Sequence, residues 1–305
     1  MNVAVSVVVV VWDMARELPR TLATLATGAQ HGAAGNRRVD YEVIVVDNGS
    51  PEPVDESLMD LVPNGRLIRL DPAPASPARA ANLGIEAAQG AVVGVMIDGA
   101  RMVSPGLVAG VADAISIGPH VVAATLAFHL GDEPQMTAAA KGYDQAVEDA
   151  LLETVDWRRD GYELFSISTF AGSSARGWFG PMGESNAVFM TAERWRELGG
   201  FDEVFDRAGG GLVNHDLFRR ACEWPGAELV VLLGEGTFHQ FHGGAATGGT
   251  AVRDELWAEY AAHRGRVFEP PTLSPRFLGA VPPQAMRHLR ASLEWWERQS
   301  TPHAP

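Results

Sequence analysis

Continuous apolar runs alternate with helical patterns along the N-terminal third of the chain. Val5–Val11 and Tyr41–Val46 are dense in valine and isoleucine, which is typical of strands buried on both faces of a sheet. Two further apolar runs, Leu67–Leu70 and Val92–Ile97, predict a third and a fourth strand. The helical patterns between these runs are those of Leu18, Leu22 and Leu25 and of the segment Ala78–Gln89. This alternation, with its short connections, predicts an α/β fold with a mostly parallel central sheet flanked by helices.

The rest of the chain carries further segments of both kinds. Apolar positions three and four residues apart predict helices over Pro105–Ser116, Tyr143–Val155, Ala192–Leu198, Asn214–Cys222, Val252–Arg264 and Pro283–Arg298. Short apolar runs predict strands over Val121–His129, Phe165–Ala171, Asn186–Met190 and Leu229–Leu233. Glycine-rich loops are predicted over Gly172–Gly183 and Gly236–Gly249.

Acidic residues follow three of the predicted N-terminal strands. Asp13 comes after the first strand, Asp47 after the second, and Asp98 after the fourth, where it is followed by Gly99 and then by Arg101. Ligands of open α/β sheets bind at the carboxyl ends of parallel strands, so these positions predict a polar ligand at one edge of the sheet. The simpler interpretation of Asp98 is a solvated turn, because Asp-Gly is a common turn pair.

Composition and charge narrow the functional classes. The 305 residues include 38 acidic and 24 basic side chains, for a net charge of −14, which argues against a broad surface for nucleic acid or an anionic membrane. A single cysteine, Cys222, excludes a disulfide framework and fits a cytoplasmic protein. No apolar run reaches the length of a transmembrane segment. No glycine-rich dinucleotide or phosphate-loop motif follows the first strand, which disfavours a dehydrogenase or a phosphate-loop ATPase.

Several segments together resemble glycosyltransferase family 2, whose members are inverting enzymes with the GT-A fold. Val45–Ser50 (Val-Val-Asp-Asn-Gly-Ser) is similar to the base-binding signature of that family, and Gly199–Glu203 (Gly-Gly-Phe-Asp-Glu) is similar to the segment before its acceptor site. The remaining matching positions are Arg79, Asn82 and Gly84 ahead of Ile97 and Asp98, together with the opening strand, Trp12 and Asp13. The resemblance covers about residues 3–245.

This resemblance implies a domain organisation. Residues 1–245 would form the GT-A domain, with a nucleotide-binding half over 1–103 and an acceptor half over 104–245. Residues 246–305 would form a helical C-terminal extension. The exposed face of the closing helices could serve a homodimer, although their tryptophans are more often packed on the domain.

The resemblance also implies the residues that bind the nucleotide sugar. They are Val11, Trp12, Asp13, Asp47, Arg79, Asn82, Asp98, Gly99 and Arg101. The chemistry agrees, since a carboxylate such as Asp47 accepts hydrogen bonds from a base and Arg79 can neutralise a diphosphate. The alternative for Arg79 is an ordinary surface arginine on a helix.

A divalent metal, Mn²⁺ or Mg²⁺, is the cofactor that the resemblance implies. The acidic motif of the family has a second carboxylate two positions after the first, where this chain has Ala100. The predicted ligands are therefore Asp98, His239 and His242, because one carboxylate alone is a poor cage for such an ion. Two alternatives are that Arg101 supplies the positive charge instead and that the histidines are surface loop residues.

The family places its catalytic acids at the start of a helix, where this chain reads Asn214, His215 and Asp216. An asparagine cannot accept the proton of the acceptor hydroxyl, so Asp216 is the predicted base and His215 its rival. The alternative for Asp216 is helix capping. By the same resemblance the acceptor side is shaped by Trp178, Phe179, Glu184, Asn186 and Asn214, of which the aromatic pair could equally belong to the core.

The sequence thus predicts an inverting, hexosyltransferase-like enzyme that moves a sugar from a nucleoside diphosphate sugar to an acceptor hydroxyl by direct displacement. The acceptor would be a glycan, a lipid-linked glycan or a natural product, and no nucleic acid partner is expected. A first alternative is a catalytically degenerate GT-A protein that binds a nucleotide sugar or a protein partner. A second is a sugar nucleotidyltransferase, which shares the sheet.

Overall fold

A computed structural model describes residues 4–31, 38–243 and 250–300. Strands in these ranges are β1 (Val5–Val11), β2 (Tyr41–Asp47), β3 (Arg66–Arg69), β4 (Val92–Met96), β5 (Arg101–Val103), β6 (Val121–Leu130), β7 (Ser168–Phe170), β8 (Val188–Thr191), β9 (Glu228–His239) and β10 (Arg276–Gly279). They form one sheet in the order β10-β9-β6-β8-β4-β1-β2-β3, with β5 paired to β9 and β7 to β6. The sheet is mixed, because β8 runs antiparallel to both β4 and β6.

Helices cover both faces of this sheet. They are α1 (Leu18–Thr24), α2 (Ala78–Ala87), α3 (Leu107–Ile115), α4 (Gln135–Ala139), α5 (Gln145–Leu152), α6 (Ala192–Leu198), α7 (Val213–Glu223), α8 (Thr250–Arg264) and α9 (Met286–Ser300). Apolar side chains of α1 and α3 form one core layer, and those of α2, α6 and α7 belong to the other. No helix within the described ranges is both long enough and apolar enough to cross a membrane.

The central strand β1 explains the continuous apolar runs. Val8 and Val10 belong to the core layer on one face, and Val7 and Val9 to the layer on the other, since successive side chains of a strand point in opposite directions. All seven residues of β1 are buried. A strand covered on both faces therefore needs apolar residues at nearly every position.

The strand register brings the carboxyl ends of the central strands together. β1 pairs in parallel with β2 and β4, and Val11 lies opposite Asp47. The amide of Gly99, just beyond β4, donates to the carbonyl of Val10 over 2.7 Å. Trp12, the Asp47 turn and Asp98 consequently share one edge of the sheet.

The structure departs from the sequence prediction mainly around β9. The predicted strand Leu229–Leu233 extends to His239, and the short β5, which pairs with its end, was not predicted. The predicted C-terminal extension is not purely helical, because it adds β10 to the edge of the sheet. The predicted boundary between residues 245 and 246 lies outside the described residues.

Smaller differences concern the acceptor half. The predicted strand Phe165–Ala171 shortens to β7, and the residues before it form a 3-10 helix over Gly161–Ile167. The helix predicted over Tyr143–Val155 shortens to α5. In both segments local spacing indicated the element and the neighbouring packing set its length.

A buried carboxyl on β9 lies away from the carboxyl edge. The hydroxyl of Ser104 donates to Glu235 Oε2 over 2.5 Å, and the hydroxyl of Tyr162 donates to Oε1 over 2.8 Å. The amide of Gly106 donates to Oε2 over 3.1 Å. Burial raises the pKa of Glu235 to about 7, although these hydrogen bonds oppose the shift.

Stability should therefore fall as the pH rises through the range in which Glu235 ionises. The folded state favours the uncharged carboxyl, so the stabilisation is complete below about pH 4.5 and is lost as the pH approaches about 7. In the wild-type protein, ionisation of Glu235 should lower the free energy of unfolding by about 3 kcal/mol over this pH range. Glu235→Gln should not show this decrease. Urea titrations at a series of pH values measure it, with the exposed Glu153→Gln as the control. An unchanged slope in Glu235→Gln would contradict the assignment.

Close packing at Gly94 gives a second test of the fold. Gly94 of β4 lies opposite Phe189 of β8, and a methyl group at Gly94 would come within 1.9 Å of the Phe189 ring. Gly94→Ala should destabilise the protein by about 1–3 kcal/mol, because the ring must leave its position in a filled core. Gly28→Ala is the matched control, since its added methyl group meets nothing within 4 Å. Thermal unfolding of both variants checks this, and equal melting temperatures would count against the described packing.

Candidate active site

An exposed tryptophan stands at the carboxyl end of β1. Trp12 keeps 54% of its surface exposed although it directly follows the buried Val11. Asp13 then adopts a left-handed backbone conformation with φ of 53°, and its amide donates to Ser50 Oγ over 3.0 Å. This contact ties the turn after β1 to the turn after β2, so the indole projects from a fixed backbone.

The carboxylate of Asp47 is buried and already has partners. Its Oδ1 accepts the amide of Ser50 over 2.8 Å, and its Oδ2 lies 2.8 Å from Nη1 of Arg69. These bonds hold the turn after β2 in shape. Direct contact of Asp47 with a base stays a prediction, and Arg69, which was not predicted from the sequence, stands beside it.

Two of the predicted donor-binding residues lie on helix α2, in different environments. Arg79 is exposed in the first turn of the helix. Asn82, in contrast, donates to the carbonyl of Phe201 over 2.9 Å and accepts the amide of Phe201 over 2.8 Å. The amide side chain therefore fastens the Gly-Gly-Phe-Asp-Glu segment to α2, which favours a structural role for Asn82.

The predicted metal ligands do come together. His239 Nε2 lies 3.0 Å from Asp98 Oδ2, and His242 Nε2 lies 3.8 Å from Asp98 Oδ1. The two imidazole Nε2 atoms are 3.2 Å apart. His239 is the last residue of β9, where it lies opposite Arg101 of β5. A paired strand, and not a loose loop, thus positions this ligand.

Gln135 determines which nitrogen of His239 faces the cluster. The Gln135 side-chain amide donates to the carbonyl of His239 over 3.0 Å, which orients its oxygen towards His239 Nδ1. Nδ1 then carries the proton, and Nε2 turns its lone pair towards Asp98. Burial lowers the pKa of His239, so the neutral ring is favoured.

His129 lies beside the same cluster. It pairs with His239 across β6 and β9, and the ring centroids are 5.5 Å apart. The amide of Gln135 donates to His129 Nδ1 over 2.9 Å. Burial, reinforced by His239 and Arg101, lowers the pKa of His129 to about 3. The ring is neutral and supports Gln135 in its position.

These residues fit a divalent cation. Ligand atoms of Asp98, His239 and His242 all lie within 4.8 Å of one another. An unprotonated imidazole nitrogen that faces a carboxylate oxygen places two acceptors against each other, and a cation between them relieves this conflict. Two imidazoles and one carboxylate form a donor set that suits Mn²⁺ or another first-row metal better than Mg²⁺.

Arg101 adds a buried positive charge next to the cluster. Its Nη2 lies 3.1 Å from Asp98 Oδ2, and within the described part of the chain its Nε and Nη1 have no hydrogen-bond partner. Burial opposes the ionisation of Asp98, yet the charge of Arg101 and the neighbouring His239 hold the pKa of that carboxyl well below its usual range. Two free donor nitrogens on a buried guanidinium are suited to an anionic ligand.

Glu184 and the start of α7 form a second polar group. Asn214 Nδ2 donates to Glu184 Oε2 over 2.7 Å and to the carbonyl of Ser185 over 3.1 Å. His215 Nδ1 lies 3.4 Å from Glu184 Oε2. Burial alone would raise the pKa of Glu184, but His215, Asn214 and Arg101 together lower it. Glu184 is therefore ionised at neutral pH and within the electrostatic reach of Arg101.

Asp216 occupies a different environment from its neighbour His215. Only 1% of its surface is exposed, and its Oδ2 accepts from Nε of Arg220 over 2.8 Å. Arg264 of α8 donates to Oδ1 over 2.6 Å and to Oδ2 over 2.7 Å. A buried carboxylate whose two oxygens both accept hydrogen bonds from arginines is not available to an acceptor hydroxyl, so the structure favours an anchoring role for Asp216 over the predicted role of base.

The remaining predicted acceptor residues divide between core and surface. Trp178 is fully buried against Phe128, which favours the core interpretation over contact with an acceptor. Phe179 is partly buried and packs edge-on against Phe277 of β10, with ring centroids 5.3 Å apart. Asn186 is 6% exposed. Glu184 and Asn214 are the predicted acceptor residues that the fold brings next to a histidine.

A further network fixes the segment between the two metal-ligand candidates. Glu148 of α5 is fully buried, and its Oε2 accepts the amide of Phe241 over 2.7 Å. Nη2 of Arg16 lies 3.2 Å from Glu148 Oε1, and Nη1 donates to the carbonyl of Phe241 over 3.2 Å. The backbone on the N-terminal side of His242 is thereby held by an ion pair.

Sequence reasoning missed Gln135, His129, Glu148 and Arg16. His129 carried a signal, because it stands at the carboxyl end of a predicted strand, as Asp98 does. The segment with Gln135 and Glu148 contains no motif, and nothing local indicates that these side chains reach β9. Their contribution follows from contacts between segments that are distant in the sequence.

Known proteins are similar to this chain in sequence and in fold. The sequence model of glycosyl transferase family 2 matches residues 6–169, more than half of the 305-residue chain. This region includes Asp47, Arg79, Asp98 and Arg101, whereas Glu184 and α7 lie beyond it. No curated protein matches the chain in sequence.

Solved structures of S. aureus TarS are similar in fold. TarS 1–349 in complex with UDP has a TM-score of 0.51 at 12% identity, and the match covers 97% of this chain and 71% of that one. A second structure of TarS 1–349 has a TM-score of 0.52 at 11% identity, with the same coverage. A further TarS structure has a TM-score of 0.52 at 12% identity, and this chain covers 43% of it. The sheet is that of a GT-A protein, and the chain belongs to glycosyl transferase family 2.

Proposed function

We propose that this glycosyltransferase is an inverting enzyme that moves a sugar from a nucleoside diphosphate sugar to an acceptor hydroxyl. The observation that carries the proposal is the cluster of Asp98, Arg101, His239 and His242 at the carboxyl edge of the sheet, beside the exposed Trp12. A diphosphate is the ligand that suits both a cation site and a buried guanidinium with free donors.

The donor would lie along this edge in a defined order. The indole of Trp12 offers a flat surface for the base, next to the turn held by Asp47. Arg101 donates to the diphosphate from one side. A divalent cation held by Asp98, His239 and His242 would neutralise charge on the leaving diphosphate. The complex of TarS 1–349 with UDP makes UDP the first nucleotide to test.

The transfer step needs no reactant other than the sugar donor, the acceptor hydroxyl and a base on the protein. The acceptor oxygen forms a bond to the anomeric carbon while the bond from that carbon to the β-phosphate oxygen breaks. The nucleoside diphosphate leaves with the bonding electron pair, and a base on the protein accepts the hydroxyl proton. One displacement inverts the configuration at the anomeric carbon. The acceptor would be a glycan, a lipid-linked glycan or a natural product.

Two substitutions favour a second candidate, a protein that binds the nucleotide sugar without transferring it. Ala100 replaces the second carboxylate of the acidic motif, and Asn214 stands where the resemblance places a catalytic acid. Each change removes an oxygen ligand or a proton acceptor. Binding of nucleotide without turnover of any donor would favour this candidate.

Nucleotide binding should depend on the metal-ligand candidates. UDP in hundredfold excess over its dissociation constant should stabilise the protein by ~2.7 kcal/mol, and Mn²⁺ should increase the shift in melting temperature. Asp98→Asn and His242→Gln should lose the increase caused by Mn²⁺, because each removes a ligand atom. Thermal unfolding with UDP, GDP, dTDP and CDP, each with and without Mn²⁺, measures the effect.

His263→Gln is the matched control for this experiment. His263 lies on α8, remote from Asp98, and is 28% exposed. A shift with nucleotide that is independent of Mn²⁺ would assign charge neutralisation to Arg101 alone. If no nucleotide changes the melting temperature of the wild-type protein, the proposed function is refuted.

Trp12 should contribute to the affinity for the nucleotide. Trp12→Ala should weaken UDP binding by about 1 kcal/mol, or roughly fivefold, because the base loses its stacking partner. Trp296→Ala on α9 is the matched control, since Trp296 is 51% exposed and Trp12 is 54% exposed. Isothermal titration with UDP and Mn²⁺ compares the three proteins. Equal affinities would exclude stacking on Trp12.

A further inference from the structure

The proposed transfer needs a base that the predicted residues do not readily supply. Asn214 carries no titratable group, and both oxygens of Asp216 accept hydrogen bonds from Arg220 or Arg264. Freeing Asp216 for catalysis would break three hydrogen bonds of a carboxylate that is 1% exposed. The other ionisable groups near the start of α7 are therefore the candidates for this base.

Glu184 is held in place on the acceptor side of the site. Asn214 donates to Glu184 Oε2 over 2.7 Å and is itself fixed by the carbonyl of Ser185. Asparagine at this position thus contributes an N–H donor that a carboxylate could not offer. The bond directs one carboxylate oxygen of Glu184 towards His215, whose Nδ1 is 3.4 Å away.

The orientation of His215 complements that of Glu184. Its Nδ1 is buried, and among the described residues no hydrogen-bond partner reaches it, so the Glu184 carboxylate is the acceptor that stands nearest. The ring packs edge-on against Phe268, with centroids 5.1 Å apart. About 21% of the side chain is exposed although Nδ1 is buried, and Nε2, unlike Nδ1, is not among the buried side-chain nitrogens of the described residues that lack a hydrogen-bond partner.

Charged groups surround the Glu184–His215 pair. Glu184 is ionised beside His215, and Arg101 acts electrostatically on Glu184. Arg219 lies over the same Phe268 ring, 6.0 Å from its centroid, and is paired with Glu223. Asp216 follows on α7 with its charge balanced by Arg220 and Arg264.

Arg101 also connects this pair to the donor site. Its guanidinium lies 3.1 Å from Asp98 Oδ2 and acts electrostatically on Glu184. The Asp98 carboxylate of the proposed cation site and the Glu184 carboxylate of the pair thus both interact electrostatically with one arginine. An acceptor bound between them would have a proton acceptor on one side and the departing diphosphate on the other.

We infer that Glu184 and His215 form a carboxylate–histidine pair in which His215 is the catalytic base and Glu184 its positioning residue. The inference rests on the proposed function. His215 Nε2 takes the proton of the acceptor hydroxyl as the new glycosidic bond forms and the bond to the β-phosphate breaks. Glu184 accepts the hydrogen bond from Nδ1 and stabilises the imidazolium, and Asn214 fixes Glu184. The proton leaves Nε2 to solvent after the product departs.

The test separates binding from catalysis. Wild type, His215→Gln, Glu184→Gln and the control His263→Gln are compared with Mn²⁺ and a panel of UDP-glucose, UDP-N-acetylglucosamine, GDP-mannose and dTDP-rhamnose. The control is closely matched, because His263 packs edge-on against Phe205 at 5.2 Å and has Glu259 3.9 Å away. Release of nucleoside diphosphate, with water as acceptor, reports the chemical step, and thermal shift by UDP reports donor binding.

His215→Gln should lower the rate by at least about a hundredfold, the usual contribution of a positioned base, while the UDP shift stays as in wild type. Glu184→Gln should lower the rate less and should move the acid limb of the pH–rate profile to lower pH, because loss of the carboxylate disfavours the protonated ring. His263→Gln should match wild type in both measurements.

Contrary outcomes are distinct from failure of the proposed function. A His215→Gln protein with wild-type rate and pH profile would overturn the pair and leave donor binding and transfer intact. Loss of rate in Glu184→Gln with an unmoved acid limb would make Glu184 a structural residue and would overturn its assigned role. If the wild-type protein binds UDP but releases nucleoside diphosphate from none of the donors, the proposed function is overturned, and the Glu184–His215 pair with it.

Discussion

The pairing of β9 with two other strands is the constraint on which the site depends. Antiparallel pairing with β5 places Arg101 opposite His239, and parallel pairing with β6 places His129 opposite the same residue. Backbone hydrogen bonds set these positions, so three distant segments meet without relying on a loop. Asp98 precedes β5 closely and reaches both His239 and His242. A slip of β9 by one residue would turn His239 to the opposite face.

Polar groups buried around this strand end order the histidines before a ligand arrives. Both ends of the Gln135 side-chain amide form hydrogen bonds with His239. Glu148 accepts a hydrogen bond from the backbone amide of Phe241, and Arg16 balances the charge of Glu148. Buried polar groups cost free energy unless they find partners, and here each partner also fixes the orientation of a neighbour. A ligand would therefore meet His239 with the lone pair of Nε2 already turned towards Asp98, which reduces reorganisation on binding.

Histidines lie near the two positions, Ala100 and Asn214, where the resemblance leads one to expect carboxylates. Ala100 removes one acid beside Asp98, and His239 and His242 converge on that place. Asn214 removes another at the start of α7, where His215 lies next to Glu184. An imidazole offers one directed lone pair and a flat apolar ring that can be packed, as His215 is on Phe268. The proposed transferase site thus has imidazole nitrogens among its donor atoms.

The sequence by itself determined the elements, the family and the edge at which the site lies, because buried strands and amphipathic helices leave periodic patterns that are local in the chain. The predictions of β1, β2 and β4 and of most helices are confirmed, as are the GT-A fold and the transferase class. The tertiary structure alone decided that β9 runs on to His239, that β5 and β10 exist, and which partners the polar residues take. A strand of three residues has no period to detect. Whether Glu184 meets His215, or Asp216 meets Arg264, depends on distances between remote segments that local spacing does not encode.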